Sequence, residues 1–136
     1  MIIYQNGLLN LDYNPGTDVL IAELPNVVEF GVPELSRVLT LVAEHTCNYD
    51  IKLLLLDSSN VLVDQLEDGA YKAVVGEFLA KLTRSRLKRL ARVNSAVASH
   101  EERVLTVTSE ATQRLGAPFR IMTFSGRDEA LAWLLK

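Results

Sequence analysis

Apolar positions in this chain switch repeatedly between a period of two and a period near 3.6, and the switches mark out its elements. Residues 8–13 alternate loosely, Asn14-Pro15-Gly16-Thr17-Asp18 supplies turn chemistry, and 19–24 is a second β-rich run, so a hairpin is predicted. Pro25 stops it. Val32-Pro33-Glu34 then opens a helix with proline near its first turn, where Leu35, Val38, Leu39 and Val42 fall on one face. Residues 51–56, Ile-Lys-Leu-Leu-Leu-Leu, form an apolar run ending abruptly in small polar residues, as a fully buried strand does. A helix over 66–82 follows, with Leu66, Ala70, Ala73, Val74, Phe78 and Leu82 as its expected inner stripe. Residues 87–93 read as a short strand. The next helix starts near residue 99, carries Val104, Val107, Thr108, Ala111 and Leu115 inward, and ends at Gly116. Residues 119–124 make a last strand and 129–136 a terminal helix.

The order is therefore ββαβαβαβα. It predicts an α/β fold in one domain over residues 1–136: a five-stranded mixed sheet, mostly parallel in its later strands, with helices packed on it. At 136 residues the chain can bury roughly two-thirds of its unfolded surface, and a 49% hydrophobic, 23% charged composition gives no sign of disorder. A net charge of -3 argues against nucleic-acid binding by bulk attraction. One cysteine, Cys47, excludes an internal disulfide, and no signal-like segment or apolar run of about 18 residues is present, so a soluble cytoplasmic protein without membrane insertion is expected.

Three stretches resemble the SpoIIAA-like, STAS-like group of small bacterial α/β domains, related to anti-sigma-factor antagonists and to the CRAL-TRIO lipid-binding fold. They are Lys52-Leu53-Leu54-Leu55-Leu56-Asp57, Leu87-Lys88-Arg89-Leu90-Ala91-Arg92-Val93, and Phe119-Arg120-Ile121-Met122-Thr123-Phe124 with Asp128-Glu129-Ala130-Leu131-Ala132-Trp133-Leu134. The resemblance implies a non-enzymatic regulatory or interaction domain, commonly a homodimer, meeting an unidentified regulatory protein. It also has a departure. Antagonists of this type carry a phosphoacceptor serine where the helix after the central strand begins, whereas here that start reads Asp64-Gln65-Leu66-Glu67-Asp68-Gly69.

Candidate chemistry gathers at few places. Asp57, Ser58 and Ser59 stand at the C-terminal mouth of the buried strand, where open α/β sheets hold ligands and phosphorylation chemistry, although a polar strand end that turns the chain explains them equally well. A receiver domain would need a carboxylate pair after the first strand and a lysine after the last, and both are missing. Arg84, Arg86, Lys88, Arg89 and Arg92 concentrate positive charge and are the candidates for an anionic partner, with helix-end stabilisation as the plainer account. Val63, Tyr71, Val75, Phe78, Leu79 and Trp133 exceed what one inner stripe needs and are the candidates for an apolar contact surface. A second reading makes the chain a carrier of a small apolar or lipid-like ligand held between the sheet and the 66–82 helix. No His/Cys set has metal spacing and no nucleophile elbow or phosphate loop occurs, so no catalytic residue, cofactor or metal is expected.

Overall fold

The computed structural model describes residues 2–5, 9–24, 31–57, 68–93, 98–116 and 118–136. It is an α/β fold with four helices and a mixed sheet. The strands are β1 (Ile2–Gln5), β2 (Asn10–Asn14), β3 (Val19–Glu23), β4 (Leu53–Asp57), β5 (Arg89–Val93) and β6 (Arg120–Phe124). The helices are α1 (Gly31–Asn48), α2 (Asp68–Thr83), α3 (Ala98–Leu115) and α4 (Arg127–Leu134). All five expected strands are present as β2 to β6, and a sixth, β1, adds to them at the N-terminal edge. Strand order in space equals strand order in sequence, with β1, β2 and β3 antiparallel and β3 to β6 parallel.

That order dictates the layering. Crossovers between adjacent parallel strands are right-handed as a rule, and three in succession bring their helices to one face of the sheet. There α1 packs on α2 and α2 on α3, over a core that includes Leu20, Leu54, Leu90, Leu39, Val42, Leu79 and Leu82. The opposite face is covered by α4, which buries Ala130 and Leu134 against Val19, Leu55, Ala91 and Val93. The register makes the alternation explicit. Leu20, Leu54, Leu90 and Ile121 form one row toward α1–α3, and the neighbouring row, Ile21, Leu55, Ala91 and Met122, faces α4. Because β4 lies between two cores, Leu53 to Leu56 must be apolar without alternation.

Helix α1 buries the stripe its spacing predicts: Leu35, Val38, Leu39 and Val42 are all in the core. Helix α2 corrects its prediction. Phe78 and Leu82 are buried as expected and Ala70 and Val74 partly so, but Ala73 is exposed, Leu66 lies outside the described residues, and Tyr71, Val75 and Leu79 point inward as well. The physical reason is position: α2 is the middle helix of three and touches both neighbours, so it must be apolar over a wider arc than an edge helix. The end of α3 falls at Gly116, whose φ of +61° is the left-handed conformation that favours glycine after a helix.

The β2–β3 hairpin closes through its own side chains. The Asn14 Oδ1 accepts from the Gly16 N–H at 2.9 Å, and Asp18 takes a φ of +57° before Val19 pairs with Asn14. The Tyr13 hydroxyl donates to Asp18 Oδ1 at 2.8 Å, and Lys52 Nζ lies 3.4 Å from Asp18 Oδ2. The bond to Asp18, then burial, then the Asp18 charge hold the Tyr13 hydroxyl above its ordinary pKa. A pKa raised by folding gives stability that is complete below the unfolded tyrosine value, about 10, and is lost as pH climbs through the folded value. Asp18→Asn is expected to bring Tyr13 ionisation down toward about pH 10, and a 295 nm alkaline titration of the variant against the parent protein checks this.

Candidate functional site

The C-terminal ends of the parallel strands form the mouth that the sequence singled out, and Asp57 sits there as predicted. Register places Asn10, Glu23, Asp57, Val93 and Phe124 in one row across the sheet, on the face toward α4. Ser58 and Ser59 lie outside the described residues, as does Val63. Asp57 is 8% exposed, and its carboxylate faces the first residue of α4. Arg127 Nε donates to Asp57 Oδ2 at 2.6 Å, and Arg127 Nη2 lies 3.1 Å from Glu23 Oε2. One guanidinium thus bridges the ends of two adjacent strands and ties both to the start of a helix. Burial alone would lower the Arg127 pKa, but the hydrogen bonds to Asp57 and Glu23, with their charges, hold it above the ordinary value. The Asn10 Oδ1 in the same row is buried with no hydrogen-bond partner among the described residues.

The basic cluster does not converge. Arg89 and Arg92 are three apart on one strand and so point to opposite faces. Arg89 lies toward α4, where Nη1 donates to the Trp133 carbonyl at 2.8 Å and the guanidinium carbon is 5.5 Å from the centre of the indole. Arg92 is buried on the helix-bundle side, and its Nη1 donates to Thr123 Oγ1 at 3.2 Å. Arg86 faces Asp50 at 3.7 Å, with both side chains mostly exposed, and Arg84 and Lys88 are exposed. The expected anion site is therefore divided among two faces of the sheet and the surface. The apolar surface candidates are corrected too. Tyr71, Val75, Phe78 and Leu79 are 2–8% exposed and belong to the main core, and Trp133 packs beside Phe124, ring centres 5.7 Å apart, in the second core. The middle place of α2 consumes the apolar width that looked like surplus.

Arg127 and Arg89 together fix α4. Helix α4 runs antiparallel to the strands, so Arg127 at its first turn meets the carboxylates at the strand ends, and Arg89 from the strand start meets carbonyls at its last turn. Spacing alone gave no sign of this pairing, because 70 residues separate Arg127 from Asp57. The available signal was a basic residue after the Ser125-Gly126 turn, with acidic residues closing two neighbouring strands.

Helix α4 cannot cover its whole face. Six strands at about 4.8 Å span some 24 Å, whereas a helix with its side chains is about 10 Å wide. On the β2–β3 side this leaves an open groove of about 480 Å³, with Val19, Ile21, Leu131 and Leu135 as apolar walls and Asp12, Asn14, Pro15 and Thr17 at the rim. Leu135 is 53% exposed there. Between α1 and α2, by contrast, the crevice lined by Ser36, Leu39, Thr40, Val74, Glu77, Phe78 and Lys81 has no room for even a water-sized molecule.

Removing Arg127 leaves the Asp57 carboxylate nearly buried beside an open space. Arg127→Ala is expected to destabilise the fold by about 1–3 kcal/mol, discounted from a fully buried pair because Arg127 and Glu23 are partly exposed. Urea denaturation measures the loss, and adding Asp57→Asn should recover part of it. Arg89→Ala is expected to quench or red-shift the fluorescence of Trp133, the single tryptophan, with a stability loss of about 1 kcal/mol.

Against this geometry stand the comparisons with known proteins: no family model, no curated protein and no solved structure matches this chain.

Proposed function

We propose that this chain is a small non-enzymatic regulatory or interaction module of the SpoIIAA-like, STAS-like type, working through protein contacts in the bacterial cytoplasm as a homodimer. The groove beside α4 carries the reading. Its apolar walls, from β3 and the end of α4, and its polar rim have the composition of a protein-binding patch. The strand mouth favours the same reading, since its carboxylate is engaged by Arg127 in a contact that positions α4. No helix among the described residues is long and apolar enough to cross a membrane.

The carrier reading places an apolar ligand between the sheet and α2. The described α2 side chains that would line such a site are packed in the core, and the crevice between α1 and α2 has no room for even a water-sized molecule. This favours the interaction module. Native mass spectrometry of protein purified from its own host is expected to show a dimer without added mass. A reproducible extra mass of lipid size would replace this reading with the carrier, and a bare monomer at every concentration would remove the homodimer.

A further inference from the structure

Strand β6 closes the sheet on the side away from the hairpin, and among the described residues nothing pairs with its outer edge. The Arg120 N–H donates inward, to the Lys88 carbonyl at 3.1 Å, so the alternation of backbone groups aims those of Ile121 and Thr123 outward. An unpaired edge of this kind is a template for a further strand unless charge, a bulge or a cover protects it. Met122, at the middle of β6, is 45% exposed.

Helix α3 flanks this edge from the face of the sheet opposite the Met122 side chain. The α2 side of α3 is marked by Glu110, whose carboxylate lies 4.0 Å from Lys72 Nζ, and by Arg114, whose guanidinium lies over Gly76. At 100° per residue the opposite flank carries Leu105 and Thr112, with Thr108 and Leu115 where it meets the inner stripe and Leu115 packed partly against the main core. From Leu105 to Leu115 this flank has no charged residue, Leu105 is 46% exposed, and the Thr112 hydroxyl is bonded to the Thr108 carbonyl of its own helix. Among the described residues, two of the four exposed large hydrophobic side chains, Leu105 and Met122, thus flank this edge from opposite faces of the sheet.

Resting on the homodimer reading above, we propose that the partner at this edge is a second copy of the chain, joined through antiparallel β6 strands about a two-fold axis at Met122. The register follows from the backbone. Met122 opposite its mate is the non-hydrogen-bonded pair at full overlap, and Ile121 and Thr123 of each copy exchange N–H and C=O bonds with Thr123 and Ile121 of the other. Arg120 then lies across from Phe124 of the other copy, so no like charges meet along the strands, and the Leu105–Leu115 flanks of the two α3 helices approach each other.

The test uses cysteine placement in a Cys47→Ser background. Met122→Cys is expected to form a disulfide-linked dimer on mild oxidation, since facing non-hydrogen-bonded residues lie about 4.5 Å apart at Cα, and Leu135→Cys on the other surface is not. Met122→Lys, which sets lysine against lysine, is expected to raise the dimer dissociation constant at least about tenfold by sedimentation, with unchanged circular dichroism. A dimer that survives Met122→Lys, or cross-links through Leu135→Cys instead, overturns this edge and leaves homodimerisation standing. A wild-type monomer at all concentrations overturns both.

Discussion

Burial of β4 on both faces is the constraint from which the rest of the architecture follows. Its four leucines point alternately into two cores, and neither face can be left wet without exposing two of them. One face is satisfied by connectivity alone, because crossovers of one hand between adjacent parallel strands deliver α1, α2 and α3 to the same side. The other face has no crossover helix, and the chain covers it by returning α4 after β6. The arginine contacts at the two ends of α4 are the means by which so short a helix is held over the strands it must cover.

The described polar groups at the strand mouth belong to the same arrangement. Asp57 is the last residue of β4 and Glu23 its lateral neighbour on β3, and both meet the guanidinium that starts α4. Their charge is used to position a helix. What stays open is surface: the groove where α4 stops short of β2, and the edge of β6, unpaired among the described residues.

Much of the fold was legible because its signals are local. The leucine run of β4, the stripe of α1, the Asn14-Pro15-Gly16 turn and Gly116 each depend on residues a few positions apart. Strand β1 escaped notice as a short stretch without clear alternation, at an edge where pairing with β2 supplies what its own sequence does not. The facing of α2 was ambiguous because a middle helix is apolar on several sides, and only its neighbours decide that Tyr71 and Val75 point inward and Ala73 outward. The candidate site was legible in place and not in partners. Asp57 could be set at a strand mouth, but its arginine comes from the far end of the chain. The dispersal of the basic cluster was available in principle, since an odd separation on a strand sends Arg89 and Arg92 to opposite faces.

The length of α4 bears on what kind of motion this face permits. A helix of eight residues is far below the dozen or more at which isolated helices become marginally stable in water. Its backbone hydrogen bonds, its arginine contacts and the dryness of the sheet beneath it are therefore one cooperative event. Detaching α4 does not swing a rigid lid about a hinge; it melts the helix. Access to the second face of the sheet is an order–disorder equilibrium, governed by whatever shifts the cost of releasing two arginines at once.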